Sequence, residues 1–449
     1  MIKKNDTIKI EVHDISFDGQ GIGRTDDGIV IFVKEALLGE VLDVQILKVL
    51  KNMAFGKIKN IITPSPYRCE PFCEVYTKCG GCTFGHVSYE EELNYKKNII
   101  KASLRTIAGL DFPDIEIFGY DKLHYRNKML LPFGTNEKGE CDAGFYRKRT
   151  HDIIPYDNCK ITPESFNIIK DETVKFANEK KLTVYNEETQ KGLLRHLYIR
   201  KAYHTGEIMA GLVINGDTLP FSDEFTLRLI NLNLNIKSII LNINKKKTNV
   251  ILGEKTKVIF GEKYITDIMN GNKVNISCQS FYQVNTPQAE FLYDKALSYL
   301  DEENDTVFDL YSGIGTISMC LSKKAKKVYG VESCEPAVED ANMNKKLNNI
   351  DNLEFICDLS ENAVPKLIND GIIPTTVVLD PPRSGCEKSL LDTIINASPK
   401  KIVYISCNHA TLARDLKILK DFYEVKDVIG VDLFPKTQHC EVICALHKK

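Results

Sequence analysis

KIVYISCNHATLARD, residues 401–415, is a strand pattern that runs directly into a helix pattern. Ile402-Val403-Tyr404-Ile405 is a β-favouring apolar run. From Ala410 onward, Leu412, Leu416 and Ile418 recur on one side at helical spacing. Ser406 and Cys407 fall at the junction. A thiol placed there is held rigidly yet faces the open end of a sheet, where open α/β folds bind ligands. The dipole of the following helix is expected to favour thiolate over thiol. A free cysteine has a pKa of roughly 8.5, so only a few per cent is ionised at neutral pH. Position alone leaves a second reading equally open, that of one more small buried residue. The surrounding sequence has to choose.

The same alternation of β and α patterns extends back to Thr306 and predicts a parallel, doubly wound sheet. Val307–Leu310 feeds the loop Tyr311-Ser312-Gly313-Ile314-Gly315, and Val328–Glu332 ends in a carboxylate. Leu353–Asp358 and Thr375–Leu379 follow, the latter running into Asp380-Pro381-Pro382-Arg383. The Lys401 strand is fifth, and Tyr423–Phe434 with His439–Ala445 reads as a closing antiparallel pair. Asp309-x-x-x-Gly313-x-Gly315 followed by Glu332 fits a nucleoside site, the glycines admitting close backbone approach and the acid accepting from a ribose diol. A dinucleotide enzyme calls for glycine or alanine where Ser318 stands. S-adenosylmethionine carries no phosphate and is the favoured cofactor over a nicotinamide.

The DPPR loop narrows the acceptor. Methyltransferases of exocyclic base amines place an aromatic after Pro-Pro, where this chain has Arg383. Cys386 falls outside the pattern of RNA cytosine-5 enzymes, which leaves Cys407 as the thiol at the strand ends. Pyrimidine C5 is a poor nucleophile until a thiolate adds to C6 and makes an enolate. A base must then remove the C5 proton before the thiolate leaves. Glu441, in the stretch between the last two strands, is the choice for that base; a surface carboxylate is the plain alternative, and His439 the weaker candidate base.

Ahead of this region the chain changes character. At 449 residues it calls for two or three domains. A 43% hydrophobic and 27% charged composition is that of a soluble globular protein. No run of about 18 apolar residues predicts a membrane span, and MIKKNDTIKIEVHD has no apolar leader segment, so the cytoplasm is expected. A net charge of −2 excludes a uniformly basic nucleic-acid binder but not a local basic face. Residues 1–63 read as a small OB-like barrel of four strands (8–12, 28–33, 40–47 and 56–62), with Lys48, Lys51, Lys57 and Lys59 facing RNA, ending in a hinge at Thr63–Pro66. Residues 64–275 form a mixed α/β middle region with a helix over Glu90–Leu104 and paired strands around His204-Thr205-Gly206. Residues 276–449 form the doubly wound domain.

Four of the fourteen cysteines crowd into RCEPFCEVYTKCGGCTF, at Cys69, Cys73, Cys79 and Cys82. Zinc wants a second C-x-x-C or a nearby histidine pair, and neither follows. Three clustered thiolates with a distant fourth, Cys141 or Cys159, suit an iron–sulfur cluster at least as well. Further on, Arg126, Lys128, Arg147, Lys148 and Arg149 alternate with Tyr125, Phe133, Phe145 and Tyr146. Cations hold phosphates while aromatics stack unpaired bases, so this is the local candidate for single-stranded RNA.

Together these motifs resemble the TrmA/RumA family of RNA (uracil-5-)-methyltransferases over nearly the whole chain. The resemblance implies that the first sixty residues are a TRAM domain, an RNA-binding barrel. It implies that Cys73, Cys79, Cys82 and Cys159 hold a 4Fe–4S cluster, with Cys69 unassigned. Phe281-Tyr282-Gln283-Val284-Asn285 matches the family's F-x-Q-x-N, which places Gln283 at S-adenosylmethionine together with Tyr311, Glu332 and Asp380. Cys407 falls on the nucleophile of S-C-N-P-x-T-L-x-R-D and Glu441 on the general base; His409 stands where the family has proline. Cluster-bearing members methylate 23S ribosomal RNA, which is the implied substrate and macromolecular partner, with no obligate protein partner. A cluster-free transfer-RNA branch and a non-catalytic iron–sulfur RNA-binding protein are the competing readings.

Overall fold

In the computed structural model the described residues are 2–148, 150–301 and 305–449, so Arg149 of the basic stretch lies outside them. Strands Thr7–Ile15, Gly21–Arg24, Val30–Lys34, Val41–Val49 and Met53–Thr63 close into a barrel. Gly21–Arg24, outside the four expected strands, is a further strand. A Cβ at Gly21 would meet the Ala36 methyl at 2.7 Å and one at Gly23 would meet Ile10 at 2.7 Å, so glycine here permits close approach in a narrow barrel. Alternate residues Ile10, Val12, Ile31, Val33, Leu42 and Val44 fill the interior, and Lys48, Lys51, Lys57 and Lys59 are exposed outside. The Thr63–Pro66 stretch, expected as a hinge, is fastened. The buried Glu40 carboxylate accepts the Ser65 N–H at 3.2 Å and the Arg68 guanidinium at 2.5 and 2.7 Å.

The middle region builds a seven-stranded sheet in the order Lys255–Gly261, Ile236–Ile243, Ile208–Ile214, Leu194–Lys201, Lys128–Thr135, Cys141–Tyr146, Ile153–Pro155. Helices Glu164–Glu179 and Ser222–Ile230 pack on it. Helix Tyr89–Ser103, capped by Ser88, and the three-residue strand Glu116–Phe118 belong structurally with the C-terminal sheet: the strand pairs in parallel with Tyr423–Val431.

The C-terminal sheet has eight strands, in the order Leu353–Cys357, Lys327–Glu332, Thr306–Leu310, Thr376–Leu379, Lys401–Ser406, Glu441–Lys448, Tyr423–Val431, Glu116–Phe118. The first five are parallel and Glu441–Lys448 is antiparallel to both its neighbours. Both faces of the central strands are covered, so these strands are almost continuously buried and the pleat only sorts their apolar residues. Val307, Val378, Val403 and Ile405 enter one core, and Phe308, Val377, Ile402 and Tyr404 the other. Chain order reverses between Thr306–Leu310 and Thr376–Leu379, which opens a crevice at the carboxyl ends of these strands. Among the described residues no helix is long and apolar enough to cross a membrane.

Candidate active site

Cys407 sits at the carboxyl end of Lys401–Ser406, half-buried, one residue before the cap of helix His409–Leu419. Asn408 Oδ1 accepts the Ala410 and Thr411 N–H groups at 3.0 and 3.4 Å, and the Asn408 amide donates to the Arg383 carbonyl at 3.1 Å. The DPPR loop is thereby pinned to the turn that carries the thiol. Ser406 pairs with Val442, and the antiparallel register continued by one residue sets Cys407 opposite Glu441. Glu441 is the first residue of the last strand, which starts two residues later than expected, and it is almost fully buried.

The electrostatics correct one expectation. The thiol expected to be ionised by the helix is held protonated. Burial first, then the Glu441 and Asp380 carboxylates, push Cys407 up to about 11, while the Arg383 guanidinium hydrogen-bonded to it pulls the other way. The helix amides nearest the thiol already serve Asn408, so the favourable dipole end is spent on the cap. Burial and Asp380 raise Glu441 to about 8, against the lowering effect of Arg383. Burial raises Asp380 to about 7. The two acids thus exchange protons near neutrality beside a thiol that stays protonated, with Arg383 as counter-charge. Sequence reasoning gave Arg383 no role; its place after Pro-Pro was the only signal.

The stretch between the last two strands is clamped from behind. Lys96, fully buried, donates to Glu92 Oε1 and Asp432 Oδ1 at 2.8 Å each, and Lys436 reaches Glu92 Oε2 at 3.0 Å. Tyr89 donates to Asp432 at 2.9 Å and Tyr125 to the Pro435 carbonyl at 2.9 Å. The Thr83 and Phe84 N–H groups both donate to the Lys436 carbonyl, at 2.8 and 3.0 Å. No local pattern announced this clamp, because its halves are more than three hundred residues apart.

At the crevice, Tyr311 follows the first strand in a left-handed conformation (φ 68°), with its hydroxyl donating to Glu361 at 3.2 Å. Glu332 holds the glycine loop, accepting the Gly313 N–H at 3.1 Å and the Cys334 N–H at 2.8 Å. Ser318, where a dinucleotide site wants glycine, donates to the buried Asp309. Gln283 is buried just ahead of helix Thr286–Ser298, its carbonyl accepting the Asn127 side-chain amide at 2.8 Å. Ser312 Oγ and Asn285 Nδ2 are buried without partners, and a Cβ on Gly313 would point into open space. The orphaned Ser312 hydroxyl beside the open Gly313 backbone fits a polar nucleoside ligand, and the Asn285 amide is a second orphan.

Cys73, Cys79, Cys82 and Cys159 line one cavity of about 510 Å³ with Arg126, Lys128 and Phe281. Desolvation raises the Cys79, Cys82 and Cys159 thiols, and neighbouring thiols of the set add to it. The Gly81 N–H points at Cys79 Sγ, 3.3 Å away. Cys141 instead packs in the core of the middle sheet, and exposed Cys69 is outside this lining. Among the described residues no three Cys, His, Asp or Glu side chains close on one point as a single metal ion requires. The basic–aromatic stretch divides. Tyr125 and Phe133 are buried, not available for stacking, and burial beside Arg200 lowers Lys128 to about 7. Arg126 faces the cavity.

A doubly wound domain with a crevice at its strand ends, joined to a small N-terminal barrel, is the architecture of a Rossmann-like methyltransferase carrying a TRAM domain. The chain belongs to the tRNA (uracil-5-)-methyltransferase family, whose pattern matches residues 88–449, with a TRAM domain matching residues 3–59. It is 47% identical to an uncharacterised RNA methyltransferase of Clostridium acetobutylicum, over 100% of this chain and 98% of that one. An uncharacterised RNA methyltransferase of Bacillus cereus is 43% identical over 99% and 98%. Among solved structures, the Pyrococcus abyssi tRNA (uracil-54, C5)-methyltransferase in complex with S-adenosyl-L-homocysteine superposes with a TM-score of 0.79 at 26% identity, covering 98% and 99% of the two chains.

Proposed function

We propose that this protein methylates C5 of a uridine in RNA, with 23S ribosomal RNA as substrate and S-adenosylmethionine as donor, in the cytoplasm. The observation that carries the reading is the register setting Cys407 opposite Glu441 at the edge of the crevice. Cys407 Sγ adds to C6 of the uracil ring, its proton leaving first to the acid cluster or to water. The ring then carries an enolate whose C5 is nucleophilic. S-adenosylmethionine, when bound, supplies the electrophilic methyl group. Glu441 removes the C5 proton, and the electrons left behind expel the Cys407 thiolate and restore the C5–C6 double bond. Arg383 steadies the negative charge that develops beside it. Gln283, Tyr311, Glu332 and Asp380 hold the cofactor in this reading. The target uridine must be unstacked to reach the thiol, at a cost of a few kcal/mol.

Cys73, Cys79, Cys82 and Cys159 are proposed to hold a 4Fe–4S cluster. What supports this is that the four thiols line one cavity, and a cluster takes one thiolate on each of its irons. Its role is to hold structure or RNA, because the transfer moves no electrons. We take residues 1–63, 64–275 and 276–449 as the functional divisions. The likeness to a tRNA (uracil-54, C5)-methyltransferase favours a second substrate, transfer RNA. Incubation with labelled S-adenosylmethionine and either 23S fragments or transfer RNA separates the two, and mapping of 5-methyluridine in cells with and without the gene checks the answer. Failure to form 5-methyluridine in any RNA, by protein purified without oxygen, refutes the reading. Colourless protein containing zinc and no iron refutes the cluster.

A further inference from the structure

A cleft of about 280 Å³ lies between the barrel and the helices behind the nucleophile, and none of the proposed chemistry uses it. Phe17 and Leu38 line it from the barrel side, Asn98 and Ser103 from helix Tyr89–Ser103, and His409 from the helix after Cys407. His409 is the residue that stands where proline is expected in the nucleophile motif. Its Nδ1 is hydrogen-bonded to Ser103 Oγ at 2.7 Å, which orients the ring across the cleft floor only two residues from the thiol.

Phe17 lines the same cleft from the barrel side. Its ring is 70% exposed, and Leu38 beside the same cleft is 42% exposed. The turn that presents Phe17 is tightly wired. Ser16 Oγ donates to Asp18 Oδ1 at 2.6 Å, Gln20 Nε2 donates to Asp18 Oδ2 at 2.7 Å, and the Ser16 N–H reaches the Gln20 carbonyl at 2.8 Å. An aromatic face held out in this way loses little entropy on being covered. The polar edge of the cleft is made of His13, Asp14, Asn98 and His409, and no lysine or arginine is among its lining residues. Phosphate binding calls for cations. A flat apolar face alongside uncharged donors and acceptors, with one carboxylate to accept from an amine or imino group, is instead the arrangement that reads an unstacked base.

We infer that this cleft takes an unpaired nucleobase of the substrate RNA, close in sequence to the target uridine, stacked on Phe17 and hydrogen-bonded by Asn98 and His409. His409 is then a specificity-determining residue through which the chain reads sequence beside its target. The inference rests on the proposed action on RNA at Cys407.

The test is a double-mutant cycle between protein and RNA. The full chain is given a 23S fragment carrying the unmethylated target uridine, intact or with a single abasic site at each flanking position in turn. Dissociation constants by fluorescence anisotropy and kcat/KM are measured side by side. For the wild type, one flanking abasic site is expected to weaken binding about tenfold, the order of one lost base–aromatic stack. Phe17→Ala and His409→Ala are expected to weaken binding to intact RNA comparably, and to lose nothing further at that one abasic position. Losses that multiply at every position overturn the inference. Unchanged binding of all RNAs by Phe17→Ala also overturns it, and leaves the cleft to a different occupant such as a peptide. Phe17 is exposed, so its variant keeps the test decisive if His409→Ala fails to fold. Because binding is read separately, an intact binding cycle without methylation would strike the catalytic reading and not this one.

Discussion

The Cys407 thiol should be slow to react in the free protein, and the structure says by how much. Its position at about 11 with the neighbouring carboxylates ionised, against an ordinary thiol value of 9.0, leaves up to about a hundredfold less thiolate. The more basic thiolate is intrinsically the better nucleophile, which returns roughly eightfold at a Brønsted slope of about 0.45. The net expectation is reaction with an aromatic disulfide up to about tenfold slower than that of an unhindered thiol. Exposed Cys69 and Cys334 of the same chain serve as internal references, resolved peptide by peptide by mass spectrometry. Partial burial alone could slow labelling, so the decisive arm is Glu441→Gln. Glu441 ionises above about pH 8 and raises the thiol only when ionised. The substitution should therefore accelerate Cys407 labelling at pH 9 and change it little at pH 6. Labelling of wild-type Cys407 as fast as the references at pH 7 would refute the reasoning. So would a Glu441→Gln effect equal at both pH values, since steric relief does not titrate.

Other expectations follow from the same site. Glu441→Gln should trap a denaturant-stable protein–RNA adduct visible on gels, because elimination lacks its base, whereas Cys407→Ala should form none. Wild-type kcat/KM should rise with pH through about 8, as the free enzyme's Glu441 loses its proton, and a profile flat from pH 6 to 9 would exclude that role. Lys96→Met strips a buried cation from Asp432 and should cost about 3–5 kcal/mol in chemical denaturation. Burial already raises Asp432, so this loss should be full at pH 8 and shrink as falling pH protonates the carboxyl. Gly315→Ala puts a Cβ 2.4 Å from the Phe355 ring at φ 84° and should cost about 1–3 kcal/mol while weakening cofactor binding measured by calorimetry.

The sheet was legible because long, strongly patterned strands alternate with helices, and because each loop at its carboxyl edge carries its chemistry within a few residues. Glu116–Phe118 was not, since three residues show no period and only pairing with Tyr423–Val431 makes them a strand. The direction of the Cys407 shift was misjudged for a related reason. A neighbouring helix is visible in sequence, but the desolvation and the two carboxylates that outweigh it are tertiary. Tyr125 and Phe133 mislead similarly: an aromatic beside a cation looks the same whether it is core or platform. Cys73, Cys79, Cys82 and Cys159 face one cavity across a gap of seventy-seven residues between the third and fourth, a convergence that spacing alone left open between Cys141 and Cys159.

The clamp behind Glu441 bears on when the protein becomes competent during its own synthesis. Lys96 meets Asp432 across 336 positions and Thr83 meets Gln438 across 355. The barrel and the middle sheet can form while the chain is still emerging, since domains fold as units from the amino end. The Cys407 strand, however, lacks its antiparallel neighbour until residues 441–448 have been made and docked against segments folded long before. A ribosome-tethered chain therefore offers the thiol without its opposing carboxylate. A chain made only as far as Cys407 thus presents that thiol before the carboxylate that opposes it exists.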